Sequence, residues 1–558
     1  MTALQYHQST KHHFNRFARS QGYLDWANQP DPFRRYAGAR LIELPRTAPA
    51  RGSGGLGSGG RGSGGIGVPY AALYDGSASP SPLDDEHLGE LLRCAFGLSA
   101  WKVAGQSRWA LRVNPSSGNL HPTEAYLVAD GRVAHYAPKE HAIEQRAMLS
   151  PDAWQAFSAG RRGVLVGLTS IHWREAWKYG ERAFRYCQHD AGHAIGALRL
   201  AASMLGWRMA LLERWSTSDL GALLGVDRDR GDAEAEEPEC LAVITPDDPH
   251  EWNADPAVLV EAAERAEWWG APNRLSASHT EWPIIDEVAE ATRNPGRYEG
   301  RRTEDEARSE GPRFRPSSSV LRTSQVPARS VILQRRSAVA FDGRSSLSRE
   351  AFLGMLSRLQ PGAPPWDAID WPPQVHLAVF VHRVEGLTPG VYAWLRDPSV
   401  RSEWQAAMRP EFLWQNVPNP TSRSALRGAG DPNDSLFLLL PFDMTFPANR
   451  VSCDQDIAAD GYFSLGMIAR VEPALRERGE WFYRRLFWEC GLIGQVLYLE
   501  AEAAGGRATG IGCYYDDPVH EMLGLKGEAW QSLYHFSMGL PVDDPRIASE
   551  RGYAWEGS

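Results

Sequence analysis

Two stretches of this chain repeat one pattern at a constant separation of 299 positions (489 − 190). The first stretch is residues 184–207 and the second is residues 483–506. The same separation brings residues 224–226 onto residues 523–525 without a gap. Agreement over this length is typical of a duplicated structural unit, so we expect the same domain twice. The matched pairs include Arg185 with Arg484, Asp190 with Glu489, Gly192 with Gly491, and Leu200 with Leu499.

The repeated unit mixes helices and strands. Both stretches place apolar residues at helical spacing, as Ile195, Leu198 and Met204 do in the first copy, which predicts a long, largely buried helix in each. Short apolar runs surround these helices and are consistent with buried strands. The predicted fold class is therefore α+β in both halves of the chain. The apolar runs are residues 124–128, 209–212 and 240–244 in the first copy, and 375–381, 508–511 and 533–538 in the second.

Length and composition agree with two domains joined by polar segments. A chain of 558 residues is long enough to divide into several cores, and 43% hydrophobic residues provide the material for them. The Gly/Ser run at residues 51–67 cannot bury a core, and no Lys-Ser/Thr follows it as in a phosphate loop, so it is interpreted as a linker. The predicted organisation is an N-terminal segment (1–46), a Gly/Ser-rich linker (47–67), domain 1 (68–285), a polar linker (286–325), domain 2 (326–548) and a tail (549–558).

Charge, hydropathy and cysteine usage exclude several classes of function. A net charge of −10 disfavours nucleic acid or an anionic membrane as the main partner. No apolar run approaches the ~20 residues that span a bilayer, and residues 1–14 lack the apolar stretch of a signal peptide. The six cysteines are scattered without CxxC spacing and are interpreted as reduced thiols. We therefore expect a cytoplasmic protein.

Four short motifs are informative in combination. Each alone is weak, but their order and spacing resemble the nitroreductase family, and within it the SagB-type dehydrogenases (azoline oxidases) that form thiazole and oxazole rings. The resemblance spans roughly residues 70–250 and 325–548. The motifs are NPSSGNLHP at residues 114–122, KYGER at 178–182 leading into Asp190-Ala191-Gly192-His193, Arg335-Arg336-Ser337 followed by AVAFDG, and Thr509-Gly510-Ile511-Gly512.

The resemblance implies an intramolecular pseudo-dimer of two fused FMN-dependent nitroreductase-like domains. In this family two subunits pair and each FMN lies at their interface. One subunit supplies the Arg-Arg-Ser and Gly-rich elements, and the other supplies the Pro-Ser-Ser loop. The composite site implied here contains Arg335, Arg336, Ser337, Gly510, Ile511 and Gly512 from domain 2, with Pro115, Ser116, Ser117 and Asn119 from domain 1.

The chemistry of FMN explains these residue types. Guanidinium groups of Arg335 and Arg336 suit its phosphate, and Arg546 is a further candidate ligand. Ser337 can hydrogen-bond the ribityl chain, the small residues of the loop let backbone approach the ring, and N–H groups of the Gly-rich segment suit the ring edge where charge develops. The family often has a second arginine two residues after the serine, where this chain has Val339.

The two copies differ at the elements that make the site. Domain 1 has Leu211-Leu212-Glu213 where domain 2 has Gly510-Ile511-Gly512, and it has no Arg-Arg-Ser, only residues 74–77 (YDGS). Its His250 falls opposite Arg546, and domain 2 has residues 369–372 (IDWP) in place of the Ser-Ser-Gly-Asn loop. The reciprocal site has therefore lost both contributions, and one FMN per chain is expected.

Lys178 and Tyr179 are the candidate catalytic residues. They resemble the Lys-Tyr pair that azoline oxidases place over the flavin, and domain 2 has Glu477-Arg478 at the matching positions. Oxidation of an azoline ring removes a proton from carbon while hydride passes to flavin N5, so either side chain can act as general base. His189 and His193 have metal-ligand spacing, but no third ligand is apparent in the sequence and no metal is expected.

The predicted function is an FMN-dependent oxidoreductase, a dehydrogenase of azoline-type rings in a modified peptide. Its partners would be a small-molecule or peptide substrate and a peptide-modification complex. Two alternatives stay open: an NAD(P)H-dependent reductase of nitro or quinone compounds on the same site, and a non-catalytic scaffold that kept the fold without the flavin.

Overall fold

The computed structural model describes residues 1–46, 67–228, 230–296, 326–418 and 435–557. The Gly/Ser-rich linker predicted at 47–67 lies outside the described residues except for Gly67, as does the polar linker from residue 297 onward. The predicted boundary between residues 285 and 286 falls inside a helix, Pro283–Ala291. The first half of the molecule comprises residues 67–296 and the second half comprises residues 326–547. An N-terminal arm (1–46) precedes the first half, and a C-terminal arm (548–557) follows the second.

Helices and strands alternate through both halves. The helices are α1 Ala3–Ser9, α2 Ala72–Asp75, α3 Asp85–Phe96, α4 Pro151–Ser158, α5 His172–Tyr179, α6 Ala183–Met204, α7 Thr217–Leu224, α8 Ala257–Arg265, α9 Pro283–Ala291, α10 Ala328–Gln334, α11 Arg349–Ser357, α12 Arg401–Ala407, α13 Thr445–Val451, α14 Ile457–Asp460, α15 Val471–Arg478, α16 Phe482–Ala503 and α17 Asp516–Leu523. The strands are β1 Tyr36–Ala37, β2 Arg40–Glu43, β3 Leu98–Ala104, β4 Ser107–Arg112, β5 Thr123–Ala129, β6 Arg132–Ala137, β7 Ala142–Met148, β8 Val164–Ser170, β9 Arg208–Leu211, β10 Glu237–Thr245, β11 Ala271–Pro272, β12 Val375–Val381, β13 Gly390–Trp394, β14 Gln415–Asn416, β15 Leu436–Pro441, β16 Phe463–Arg470, β17 Arg507–Ile511, β18 Trp530–Gly539 and β19 Ala548–Arg551.

Each half is built on a seven-stranded antiparallel sheet, and six of the seven strands follow the same order in both halves. The edge strand differs, because β2 precedes the other strands of its sheet in the chain, whereas β14 lies between β13 and β15. The first sheet runs β2-β7-β6-β5-β8-β10-β9, and the second runs β14-β15-β13-β12-β16-β18-β17. The helices α5, α6 and α7 begin and end 299 positions before α15, α16 and α17, respectively. The prediction of an α+β fold in two fused domains is confirmed.

The long helices α6 and α16 form the centre of the molecule. Every residue of α6 is buried, because the helix packs against its own half and against the other half at once. The two helices cross at equivalent glycines. A Cβ on Gly192 would lie 2.4 Å from the carbonyl oxygen of Trp488, and a Cβ on Gly491 would lie 2.3 Å from that of His189. Since Trp488 is the repeat equivalent of His189, the contact is the same in both directions, as at a twofold subunit interface.

The two arms join the halves. Strand β2 of the N-terminal arm is the edge strand of the first sheet, whereas α1 contacts the second half through a hydrogen bond of 3.0 Å between His7 Nδ1 and the Tyr483 hydroxyl. The C-terminal arm returns to the first half, where β19 pairs with β3. One apolar core cluster contains side chains of both halves. Among the described residues, no helix combines the length and hydropathy that a bilayer crossing requires.

Candidate functional site

The Ser-Ser-Gly-Asn loop precedes β5 and is held by a carboxylate of the central helix. The backbone N–H and the hydroxyl of Ser117 both donate to Asp190 of α6 at 3.0 Å. The Asn119 side chain donates to the Ala110 carbonyl at 2.8 Å, and Gly118 takes a left-handed φ of 58°. Pro115 is buried at the start of the loop. These contacts fix a loop of small residues against α6.

The Lys178–Tyr179 pair meets this loop at Gly118. Both residues stand at the C-terminal end of α5. A Cβ at Gly118 would lie 2.6 Å from the Tyr179 hydroxyl and 3.1 Å from the Lys178 amine. Only glycine leaves the space that these two polar groups occupy, so the structure brings the predicted catalytic pair and the predicted loop together.

A buried pair of acids lies behind the loop. Burial, the charge of Asp190 and the hydrogen bond to it raise the pKa of Glu175 well above its usual range. Burial also raises the pKa of Asp190, to about 8, against the hydrogen bonds that Ser117 donates to it. Asp190 accepts these bonds, whereas no N–H or hydroxyl group among the described residues donates to Glu175, so we assign the proton of the pair to Glu175.

The Gly-rich segment of the second half ends β17 and reaches the same region. The Gly510 N–H donates to the Tyr498 hydroxyl at 2.9 Å, and that hydroxyl lies 3.0 Å from the Ser337 hydroxyl. A Cβ at Gly512 would lie 2.2 Å from the ring of Tyr186, whose centroid is 4.4 Å from that of Tyr179. The two halves therefore meet through a row of tyrosines, with buried Ile511 between the two glycines.

Arg335 and Arg336 point from the second half at backbone of the first half. Arg335 donates to the Arg112 carbonyl at 3.0 Å, and Arg336 donates to the Ser99 carbonyl at 2.7 Å. Burial lowers the pKa of both guanidinium groups, that of Arg336 to about 10. Within the described residues neither side chain forms an ion pair, and Nε of Arg335 has no partner. Arg335 is buried and Arg336 is half-buried, and the Glu502 carboxylate compensates the charge of both only in part, so the pair suits an anion.

A cleft of about 440 Å³ opens beside Arg336 at the junction of the first half, α10 and the C-terminal arm. Its walls are mainly polar, and Arg93 and Arg329 are neutralised by Glu556 and Glu90. The residues around it are Arg93, Ser99, Arg329, Ser330, Leu333, Gln334, Arg336, Ser549, Glu550, Arg551 and Glu556. Neither the Ser-Ser-Gly-Asn loop nor Gly510 borders this cleft.

Arg546 is not brought into this group. Its side chain is 85% exposed and pairs with Asp544 at 2.6 Å. The chain after β18 directs it to the surface, so it stands apart from Arg335 and Arg336.

The donor set fits FMN at one end, and aromatic side chains fill the other. The unpaired guanidinium groups suit the phosphate, and the loop of small residues and the N–H of Gly510 suit a flat polar ring. Beside Gly510, however, a Cβ would lie 1.9 Å from the Tyr534 hydroxyl, and Tyr498 already accepts the N–H of Gly510. A ring at that N–H requires Tyr498 and Tyr534 to rotate away.

Side chains fill the second, repeat-related position, in which the two halves exchange their roles. Arg485, the equivalent of Tyr186, pairs with Glu213 at 2.7 Å, and burial raises the pKa of Glu213 to about 7. The Arg485 guanidinium also packs against three indole rings, those of Trp371, Trp481 and Trp488. This cluster fills the space with an ion pair and indole rings, where the other direction has Tyr186, His189 and Gly512 as the equivalents of Arg485, Trp488 and Glu213.

Several residues of the site had no distinct signal in the sequence. Tyr186, Tyr498 and Tyr534 lie within apolar patterns and were indistinguishable from core residues. His193 contacts the Tyr534 hydroxyl at 3.2 Å, and the His189 ring stacks on Tyr534 with centroids 4.0 Å apart. Asp190 did have a signal, because the repeat preserves a carboxylate as Glu489. That residue likewise accepts the N–H groups of Gln374 and Val375 before β12.

Comparisons with known proteins give the same fold. Residues 78–241 match the model described as the Nitroreductase family. The structure of a proposed nitroreductase from Anabaena variabilis ATCC 29413 is similar over 97% of this chain and 99% of that chain, with a TM-score of 0.64 and 19% identity. Two partial matches are a proposed nitroreductase from Ralstonia eutropha JMP134 (TM-score 0.26, 17% identity, 40% of this chain and 95% of that one) and a chain of the E. coli microcin synthetase complex (TM-score 0.25, 18% identity, 35% and 77%). No curated protein matches the chain. The chain thus has the nitroreductase fold over both halves.

Proposed function

We propose that this chain is an FMN-dependent oxidoreductase with one composite flavin site, which dehydrogenates azoline-type rings in a modified peptide. The observation that carries the proposal is the pair of guanidinium groups at the boundary of the two halves, one buried (Arg335) and one half-buried (Arg336), neither of them in a direct ion pair among the described residues. A charge that is removed from water and only partly compensated is destabilising, so a bound anion is a simple reason to keep two of them together.

Residues of both halves would hold the cofactor. Arg335 and Arg336 would bind the phosphate, with Ser337 on the polyol, while the Ser116–Asn119 loop and Gly510 would flank the ring. When bound, FMN supplies a two-electron acceptor for hydride at its ring. The proposal of one flavin site per chain is supported by the Arg485–Glu213 pair, which fills the position of the second, repeat-related site.

Lys178 is the proton acceptor of the proposed reaction. In the proposed reaction the substrate ring would lose a hydride from a C–H bond and a proton from the neighbouring ring atom, and it would gain a double bond. Bound FMN would supply the hydride acceptor. Burial raises the pKa of Tyr179 well above its usual range, so its hydroxyl stays protonated and acts as a hydrogen-bond donor. The Lys178 amine lies next to it, also beside Gly118, and we assign it the role of proton acceptor on this position.

The acid pair positions rather than reacts. Asp190 holds the backbone and hydroxyl of Ser117, and the protonated Glu175 limits the negative charge near Lys178. In this arrangement only one carboxyl group of the pair, that of Glu175, is neutralised, and Asp190 keeps the loop rigid.

The first test is the visible spectrum of the purified protein, with released flavin identified and counted per chain. We expect about one FMN, and Arg335→Ala and Arg336→Ala should each weaken FMN binding by about 10- to 150-fold, the value of one charge-assisted contact of 1.5–3 kcal/mol. Arg265→Ala, an exposed arginine remote from the site, is the control. Reduction of the bound flavin by a thiazoline peptide but not by NAD(P)H supports the dehydrogenase. Bleaching by NAD(P)H alone supports the reductase, and a colourless protein that takes up no FMN contradicts both.

A further inference from the structure

Three side chains with metal-ligating atoms meet next to the Gly-rich segment. The sulfur atoms of Cys453 and Cys513 lie 2.8 Å apart, and Nδ1 of His12 lies 4.0 Å from the Cys513 sulfur. Every one of the three residues has a ligand atom within 4.8 Å of the others. His12 comes from the N-terminal arm, Cys453 follows α13 and Cys513 follows β17. No sequence spacing predicts that these three residues meet, because His12 and Cys513 are almost a full chain apart.

We propose that His12, Cys453 and Cys513 bind one Zn²⁺ ion, with water completing a tetrahedral shell, and that the ion ties the N-terminal arm to the second half. Two thiolates and an imidazole are the soft and borderline ligands that zinc takes, whereas Mg²⁺ and Ca²⁺ take oxygen ligands. Binding releases the thiol protons and changes no oxidation state.

The segments that carry the two cysteines are joined independently of the sulfur atoms. The side chain of Gln455 donates both to the Ser452 carbonyl at 2.7 Å and to the Cys513 carbonyl at 3.0 Å. In addition, the Tyr515 N–H donates to the Val451 carbonyl at 2.8 Å. The two thiols are therefore held side by side by the backbone, and zinc binding would move their sulfur atoms apart to the ~3.7 Å that two thiolates on one tetrahedral ion require.

The third ligand is held by buried charges. The His12 N–H donates to Asp516 at 2.8 Å, and Asp516 is buried between Arg182 and Arg185 at 2.9 Å from each. Arg182 also donates to the Thr10 carbonyl at 2.7 Å. These hydrogen bonds hold the arm by its backbone at Thr10 and His12, and they thereby place the His12 imidazole beside the two thiols.

The ion could reach this cluster without unfolding. Cys453 and Cys513 are partly exposed, whereas the remaining four cysteines of the chain are buried. The same contrast makes the site measurable, because a thiol reagent acting on the folded protein should modify these two cysteines first.

The test uses the reduced full-length protein, freed of metal by a chelator and then given Zn²⁺ alone. We expect one zinc per chain by elemental mass spectrometry, and zinc should block labelling of both exposed thiols, whereas Ca²⁺ should not. Cys453→Ser and Cys513→Ser should abolish binding. His12→Ala should weaken it by about 10- to 100-fold or more, since even supporting residues of metal sites are worth that much. His13→Ala is the matched control, because this neighbouring imidazole is more exposed and lies 3.9 Å from Glu521.

Zinc content is counted separately from flavin content, so the outcome does not depend on the flavin site. The proposal is overturned if the reduced protein leaves both thiols unprotected at micromolar zinc, or if His12→Ala and His13→Ala bind alike. It is also overturned if Cys453 and Cys513 form a disulfide whose reduction yields no zinc binding. Should a serine variant fail to fold, the protection of thiols in the unsubstituted protein decides the question.

Discussion

Gly118→Ala is the substitution that most directly tests the contact between the loop and the proposed catalytic pair, Lys178 and Tyr179. Gly118 has φ near +58°, and a Cβ there would lie 2.6 Å from the Tyr179 hydroxyl and 3.1 Å from the Lys178 amine. Gly105 provides a matched control, because it has the same φ and nothing within 4 Å of an added Cβ. Both alanine variants carry the same backbone strain, but only Gly118→Ala displaces the two polar groups.

The expected magnitudes separate these effects. A left-handed conformation costs an alanine about 1–2 kcal/mol, so both variants should lose that much stability, which lowers the unfolding temperature of a domain of this size by roughly 2–4 °C for each kcal/mol. Displacement of a reacting group by about 1 Å can lower turnover by about 100-fold. We therefore expect Gly105→Ala to keep its turnover, and Gly118→Ala to lose about 10- to 100-fold while retaining FMN.

The assay is oxidation of a synthetic thiazoline peptide, followed as the loss of two hydrogen atoms by mass spectrometry, with thermal unfolding and flavin content measured on the same samples. If Gly118→Ala and Gly105→Ala have equal turnover, the contact of Lys178 and Tyr179 with the loop plays no part in the reaction. If Gly118→Ala loses flavin as well, the loop binds cofactor rather than positions the pair.

Three further predictions concern stability and the closed position. Gly491→Ala pushes a methyl group into the backbone of the facing helix and should destabilise the fold by about 1–3 kcal/mol or more in thermal unfolding; an unchanged unfolding temperature would contradict the close crossing. Burial opposes the charge of His135, but its hydrogen bonds to Glu124 and Glu144 raise its pKa above 6.5. The charged His135 therefore contributes its full stabilisation below pH 6.5, and this contribution falls as the pH rises through the pKa of His135 in the folded protein. The difference in unfolding temperature between the unsubstituted protein and His135→Gln should shrink as the pH rises above 6.5. A difference independent of pH would refute this. Arg485→Ala leaves the half-buried Glu213 carboxyl without its partner and should cost about 1–3 kcal/mol with the flavin count unchanged, whereas a second flavin per chain would contradict the closed position.

The repeat in the sequence was enough to predict the central architecture. The ends of α6 and α16 coincide after a shift of 299 positions, because both helices are buried against both halves and tolerate no insertion. Their crossing point was also implicit in the matched glycines Gly192 and Gly491, although their close contact required the structure.

Other elements had no periodic signal. The four residues of β19 are all exposed and are held by backbone pairing with β3, which no hydrophobic pattern encodes. The N-terminal arm is likewise polar, and its contacts with the second half depend on side chains far apart in sequence. The tyrosines of the site occupy the space that a side chain at Gly510 or Gly512 would need. Residue spacing alone does not distinguish a tyrosine that packs in a core from one that lines a site.

Fusion of two domains into one chain explains why a single site can be kept. In a dimer of identical subunits, a substitution in the Ser-Ser-Gly-Asn loop or in the Arg-Arg-Ser segment alters both interfacial sites, because each site takes one element from each subunit. In a fused chain, each element exists twice and belongs to a different site. In the proposed arrangement the loop near Ser117 and the arginine pair at Arg335 serve one site, which leaves their counterparts free to change. The counterpart of Tyr186 became Arg485, whose pairing with Glu213 adds buried contacts in place of a cavity. The asymmetry is therefore what the composite construction of the site leads us to expect once the two halves share one chain.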